Sequence, residues 1–257
     1  MLNNRIFNIL FILLTGIWIL ADWQFNLGTS AYGWLLFIYI FILFCGSYFI
    51  QWGFFIKSIN RSQCNEKWIA LSFDDGPISE NTALILDILK KTNTEAVFFC
   101  IGNKMKTNEI LLKKIIQENH LIGNHSYSHH PFFDLFGSSK MQRDIIRMST
   151  ECMEITGKYP VFFRPPYGVT NPNLKKAILK SGFYSIGWSI RSFDTIIKDE
   201  KRLLQKILNA LKPGAILLLH DTSPITVKML PVLLQNIKDR GYQVVRLDKM
   251  LNLSPYA

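Results

Sequence analysis

From Lys67 to the C-terminus the sequence predicts an α/β fold, a distorted barrel of about seven parallel strands, and it places a hydrophobic transmembrane hairpin ahead of that domain. Two observations carry the α/β reading. Short apolar or β-branched runs alternate with helical patterns at short intervals, the arrangement that makes a parallel sheet covered by helices. The strands are apolar along their length rather than on one face only, as strands buried on both faces are. About seven such units favour barrel-like closure over an open sheet, and no Gly-rich phosphate loop follows the first strand to support a doubly wound alternative.

Taken in order, the expected strands are Trp68–Phe73, Ala96–Ile101, Leu121–Asn124, Val161–Arg164, Tyr184–Trp188, Ala215–Leu219 and Gln243–Leu247. The first is bounded by the Gly76-Pro77 turn signal. The expected helices are Thr82–Lys91, Asn108–Asn119, Lys140–Thr156, Leu174–Ser181, Glu200–Leu211 and Ile225–Arg240.

Two apolar segments precede this domain. Ile6 to Ala21 is interrupted only by Asn8 and Thr15, and Ala31 to Ile56 is an almost unbroken apolar and aromatic run. A bilayer crossing takes about 20 residues, so the second segment is long enough and the first is marginal. No small-residue cleavage site follows the first, which disfavours a signal peptide. Trp23, Tyr32 and Trp34 flank the intervening loop, and Tyr48 and Trp52 lie near the far end, where interfacial aromatics belong. The expected division is two transmembrane helices in residues 1–57, a linker at 58–66 and the α/β domain at 67–257. Arg5 precedes the first span, Lys57, Arg61 and Lys67 follow the second, and the Asp22–Ser30 loop has neither Lys nor Arg. The positive-inside rule then gives an inner-membrane protein with its domain in the cytoplasm, or outside if only one span inserts.

The chain has 29 basic and 19 acidic residues, net charge +10. Residues 1–56 contribute only Arg5 and Asp22, so the excess belongs to the C-terminal domain. No basic run with interleaved aromatics points to nucleic acid. A basic face against anionic membrane lipid is the better expectation. The chain is expected to act as a monomer. The four cysteines have neither disulfide nor metal-site spacing.

The polar residues at the strand ends carry the chemistry. They are Asp74-Asp75, then His125 with His129, then Arg164, then Trp188 with Asp194, and finally His220-Asp221. In (β/α) barrels active sites collect at that rim. Two adjacent carboxylates are costly to hold there unless a cation relieves them. His125 and His129 stand i, i+4, so one helical turn would put both rings on one side. With Asp75 they form a two-His, one-carboxylate set suited to a catalytic zinc or a similar divalent ion. Asp74 can take a proton from water, and Arg164 can orient it. His220 can protonate a leaving amine, with Asp194 fixing its tautomer. Other residues have plainer readings. Trp188 reads as a core wall. His120 reads as a cation at a helix end. Phe132, Phe133 and Phe136 lie in a loop that either packs on the rim or meets lipid or sugar.

These residues resemble the motifs of the polysaccharide deacetylases of carbohydrate esterase family four, the NodB-homology domain, in the family's order from Trp68 to Leu247. Ser72-Phe73-Asp74-Asp75-Gly76 is similar to the first motif, which implies Asp74 as base and Asp75 as metal ligand. His125-Ser126-Tyr127-Ser128-His129 is similar to the second, implying two metal histidines. Arg164-Pro165-Pro166-Tyr167-Gly168 is similar to the third, and the resemblance implies a Tyr167 backbone N–H that helps hold the oxyanion. Leu217-Leu218-Leu219-His220-Asp221 is similar to the last, with His220 as general acid. The fourth motif departs from the pattern. Arg191 replaces an aspartate and Thr195 a tryptophan that would wall the acyl pocket, while Asp194 is kept. His130 stands where proline is common and is expected to be exposed. The resemblance implies a metal-dependent hydrolase that removes N-acyl groups, most often acetyl, from amino sugars of a glycan. The alternatives are a lipid-linked sugar substrate on the inner leaflet and a catalytically inactive carbohydrate-binding module.

Overall fold

A computed structural model describes residues 3–257. The chain begins with a helical hairpin of α1 (Asn4–Phe25) and α2 (Ser30–Tyr48). Asn3 caps α1, its side chain accepting from the N–H groups of Arg5 and Ile6. Both helices are long and apolar enough to cross a membrane, at 22 and 19 residues. Ile12, Ile17 and Leu20 are each about two-thirds exposed, so the apolar surface faces outward. Two polar side chains within the hairpin are answered by tyrosines. The Tyr39 hydroxyl donates to Asn8 at 3.3 Å and the Tyr32 hydroxyl to Asp22 at 2.8 Å, which relieves the cost of polar groups in an apolar setting.

The second apolar run does not continue as helix to Ile56. Helix α2 ends at Tyr48, and a 3-10 turn at Ile50–Trp52 closes on Gly53 with φ 60°. Beyond that glycine, Phe54, Phe55 and Ile56 are buried with Phe163, Leu174 and Ala177 of the following domain. Their hydrophobicity is spent on protein packing.

The domain is built on one parallel sheet. Its central strand β1 (Trp68–Asp74) lies between β2 (Val97–Cys100) and β7 (Ala215–His220). The remaining strands are β3 (Leu121–Asn124), β4 (Phe162–Phe163), β5 (Tyr184–Ser185), β6 (Ile190–Arg191) and β8 (Gln243–Val244). The order is β5-β4-β3-β2-β1-β7-β6, and β8 pairs with the first residues of β1. The seven-strand path curves into a half-barrel wrapped by α3 (Asn81–Lys91), α4 (Glu109–Gln117), α5 (Ser138–Thr156), α6 (Pro172–Ser181), α7 (Glu200–Ala210) and α8 (Pro224–Asp239). Ile69, Leu71 and Phe73 of β1 pack into the core under α3 and α8, while Ala70 turns to the other side with Val97 and Ile216. Burial on both faces is what the apolar strands require.

The segment after the hairpin lies in the sheet's opening between β5 and β7. The Ile59 N–H donates to Ser185 O at 2.8 Å, Gly187 N–H returns to Ile59 O at 2.9 Å, and Arg61 pairs with Ala215. Strand β6 is a break from the expected pattern, formed where the chain re-enters the sheet after Ile186–Ser189. The expected strand Gln243–Leu247 is likewise cut short. Val245 still donates to Ile69 O at 2.8 Å, but Leu247 opens a short helix α9 (Leu247–Leu251).

Candidate active site

The parallel sheet brings the titratable residues to its C-terminal edge. Asp74 ends β1 and His220 ends β7, and the two are register partners. His125 follows β3, Arg164 follows β4, and Asp194 lies three residues beyond β6.

Four loops reach this edge only by adopting unusual backbone. Nine described residues other than glycine have positive φ. Four are asparagines, which tolerate that region. The other five are Asp75 (φ 77°), Ser126 (63°), His129 (43°), Tyr167 (59°) and Phe193 (64°), all within the motif segments. Concentration of such conformations at one site marks a geometry the surrounding structure enforces.

Residues 125–129 are therefore not the helical turn expected from the i, i+4 spacing. They form a bent loop with left-handed backbone at Ser126 and His129. Its supports are polar. Asn124 Oδ1 accepts from Ser126 N–H at 2.8 Å, Ser126 Oγ from His129 N–H at 3.0 Å, and Asp144 Oδ1 from the N–H groups of Tyr127 and Ser128. Asn124 is fully buried and held in turn by Ile145 O and Ser149. The loop still brings the imidazoles together, with ring centroids 4.8 Å apart.

Asp75, His125 and His129 form the cluster expected for a metal ion, their ligand atoms all within 4.8 Å of one another. Asp75 Oδ1 is 3.5 Å from His125 Nε2 and 3.4 Å from His129 Nε2. His125 Nδ1 lies 2.9 Å from Arg164 O, so it donates there and leaves Nε2 facing the cluster. Burial, with the charge of His125, pushes His129 down to about 4, so that ring is neutral as a ligand must be. Burial alone would lower His125, but the charges of Asp74 and Asp75 raise it above the ordinary value. For Asp75 burial works upward, yet the hydrogen bond and charge of His125 pull it well below the carboxylate range. The pocket thus draws positive charge, and its donor set of one carboxylate and two imidazoles fits a divalent ion.

Two polar relays flank the cluster. On one side Arg164, with no exposed surface, donates through Nη1 to Asp74 Oδ1 at 2.6 Å and to Ser72 Oγ at 2.8 Å. Its remaining donors reach Gly187 O and Ile186 O, and its guanidinium lies 4.0 Å over the Phe99 ring. On the other side His220 Nδ1 is 2.7 Å from Asp194 Oδ1. Burial opposes the charged ring, but the hydrogen bond and charge of Asp194 raise the His220 pKa above its ordinary value. Asp194 is fully buried and also accepts from Thr226, Ser192 and the His220 N–H.

Two glycines are fixed by this packing. A Cβ on Gly76 would run into the Asp221 carboxyl, and one on Gly168 into the Trp188 ring. Asp221 is buried against Thr82 and pushed up by burial to about 7. Trp188 is buried with Ile50 and Leu218, and Gln51 donates to its carbonyl at 3.3 Å. Tyr167 is half-exposed, its ring edge-on to His129 at 4.8 Å. Arg191 stacks over Phe193 and Trp188, and Thr195 is exposed. His130 is exposed beside Phe132 and Phe136, while Phe133 is buried. His120 differs from expectation. It is a buried ring taking a hydrogen bond from Ala96 N–H and lowered by burial to about 4, so it is neutral.

This edge, with its motif segments at the ends of β1, β3, β4, β6 and β7, can be compared with known proteins. The polysaccharide deacetylase family profile matches residues 61–186. The crystal structure of the Bc1960 peptidoglycan N-acetylglucosamine deacetylase, in complex with 4-naphthalen-1-yl-N-oxidanyl-benzamide, matches with a TM-score of 0.73 at 30% identity. That match covers 77% of this chain and 94% of the other. The chain belongs to the polysaccharide deacetylase family. A second relative is the peptidoglycan-N-acetylglucosamine deacetylase PgdA of Listeria monocytogenes, 32% identical over 195 residues. The match takes in 76% of this chain and 41% of PgdA, so the chain spans about two-fifths of that relative's length. BA3943 from Bacillus anthracis, described as a CE4 family pseudoenzyme, has a TM-score of 0.70 at 28% identity, covering 75% of this chain and 68% of its own.

Asn124, Ser126, Asp144, Ser72 and Thr226 are site residues that sequence reasoning did not single out. Asn124 and Ser126 carried a signal, as polar residues at a strand end beside His125. Asp144 sits on α5 and Thr226 on α8, and neither carried one.

Proposed function

We propose that this polysaccharide deacetylase removes the N-acetyl group from an amino sugar of a glycan, using one divalent ion. The ligand set favours zinc. Residues 1–57 anchor it in a membrane, 58–66 connect, and 67–257 form the catalytic domain. The observation that carries the reading is the pair of relays, Arg164–Asp74 and Asp194–His220, on either side of the Asp75–His125–His129 cluster.

Asp75, His125 and His129 would hold the ion, which when bound polarises the amide carbonyl and acidifies water. The Asp74 carboxylate, oriented by Arg164, accepts a proton from the attacking water as its oxygen bonds to the carbonyl carbon. The Tyr167 backbone N–H donates to the oxyanion that develops. His220, charged and aimed by Asp194, gives its proton to the amide nitrogen as the C–N bond breaks. Acetate and a free amine leave. An inactive binding module would need none of these proton-transfer groups, and their joint presence favours the enzyme.

Full-length protein supplied with zinc is expected to release acetate from an N-acetylglucosamine oligomer and to contain one ion per chain. His125→Ala is expected to lose both, as read by elemental analysis and acetate release. Undiminished metal in that variant would overturn the ligand assignment, and no acetate from metal-loaded wild type would favour the binding module.

A second reading concerns the substrate's attachment. Ser47 at the end of α2 exchanges hydrogen bonds with Thr170, three residues beyond Tyr167, at 2.7 and 3.0 Å. The site thus borders the end of an apolar helix, which favours a lipid-linked amino sugar at the membrane surface. With both helices inserted, the basic flanks put the domain in the cytoplasm. Cys64 reports on this, since Cys45, Cys100 and Cys152 are buried and Cys64 is not. A membrane-impermeant thiol reagent is expected to label it only after permeabilisation. Labelling in intact cells would make an exported polymer such as peptidoglycan the better substrate.

A further inference from the structure

A groove of about 960 Å³ separates the first turns of α1 from the domain. Its walls are residues 3–9, the stretch Gly53–Lys57 and the side of α6 that continues to Ser185. Two features distinguish it from a packing gap. Ile6, Ile9 and Leu179 are about half to three-quarters exposed, and they form an apolar floor running into the outward surface of α1. Arg5, Lys57 and Lys175 ring its edge, all exposed, and none has an acidic partner among the described residues. No Asp or Glu lines the groove.

We propose that this groove binds one anionic phospholipid of the adjoining leaflet, its phosphate on Arg5, Lys57 and Lys175 and an acyl chain along Ile6, Ile9 and Leu179. The inference rests on the reading of α1 as a membrane span, since only then does the groove lie at headgroup level. Charge complementarity identifies the occupant. Three unpaired cations suit a headgroup with net negative charge, and the lack of any carboxylate leaves nothing to pair with the ammonium of a zwitterionic one. Long basic side chains at the end of an apolar helix reach headgroups while their stems stay on apolar surface. The lipid would fill the space between hairpin and domain and brace α6, whose N-terminal neighbour Thr170 is bonded to α2.

The test uses the full chain reconstituted in nanodiscs of phosphatidylglycerol and phosphatidylcholine in equal parts, then released for native mass spectrometry. One retained phosphatidylglycerol per chain is expected, in preference to phosphatidylcholine. The triple variant Arg5→Gln, Lys57→Gln, Lys175→Gln changes only exposed side chains. It is expected to lose the preference by on the order of a hundredfold, at about fivefold per charge. Equal retention of both lipids, or an unchanged preference in the triple variant, overturns the proposal. A carbonate wash separates the two ideas. Protein that stays with the membrane yet retains no phosphatidylglycerol refutes the groove alone, while protein released by the wash refutes the anchor and the proposal with it.

Discussion

His220→Ala is expected to lower acetate release by about 10²–10⁴-fold while zinc content and thermal stability stay near wild type. The ring is removed from the metal cluster, so the ion keeps its ligands, but the departing nitrogen loses its proton source. Asp74→Asn removes the acceptor on the opposite side and is expected to cost a similar factor. Asp194→Asn should cost less, because the ring remains and only its orientation and charge suffer. Its pH profile is the sharper readout. A general acid must be protonated, so activity falls as pH rises through the His220 pKa. Asp194 raises that pKa, so replacing it removes the raising influence and moves the alkaline limb to lower pH. Turnover near wild type in His220→Ala would mean that another group delivers the proton.

Arg164→Met is expected to destabilise the fold by about 3–5 kcal/mol, the cost of leaving one member of a buried ion pair without its partner. The side chain has no exposed surface and Asp74 has almost none, at 3%. The methionine fills most of the volume but leaves the Asp74 carboxylate and the carbonyls of Ile186 and Gly187 without their donors. In thermal unfolding of the detergent-solubilised full chain this should read as a drop of about 10 °C or more. Arg164→Lys keeps the charge but cannot reach four acceptors from one fork, and is expected to fall between the two. A midpoint unchanged in Arg164→Met would show that Arg164 serves orientation only.

Much of this was legible in the residues. The strand–helix alternation predicts the half-barrel because each apolar run must be covered on both faces, and Asp74, His125, Arg164 and His220 follow from reading strand ends. The paths between these points were not legible. The His125–His129 spacing suggests a helical turn because spacing alone carries no φ, and a loop bent at Ser126 and His129 meets the same condition. The run to Ile56 suggests a long span because Phe54–Ile56 are as apolar toward protein as toward lipid. The neutral His120 reads as a helix-end cation until its burial is known. The supports at Asp144 and Thr226 reach the site from the helices that follow the His125 and His220 motifs, and nothing in their neighbourhood distinguishes them from solvated polar residues.

The placement of Ile59 and Arg61 in the sheet's opening has a consequence for how the protein is made. About 150 residues separate Arg61 from its partner Ala215. At about 5–20 residues per second of synthesis, the segment waits on the order of 10–30 s for that partner to be made. For most of that interval, until residues 172–181 are made, Phe54, Phe55 and Ile56 have none of the α6 surface that finally buries them. The first part of the domain to be translated is thus among the last to be secured, and β1 pairs with β2 long before the opening can be closed. A long wait with apolar side chains uncovered is a hazard for a chain in water. The proposed membrane anchor would make it a smaller one, because the preceding helices would already have left the water.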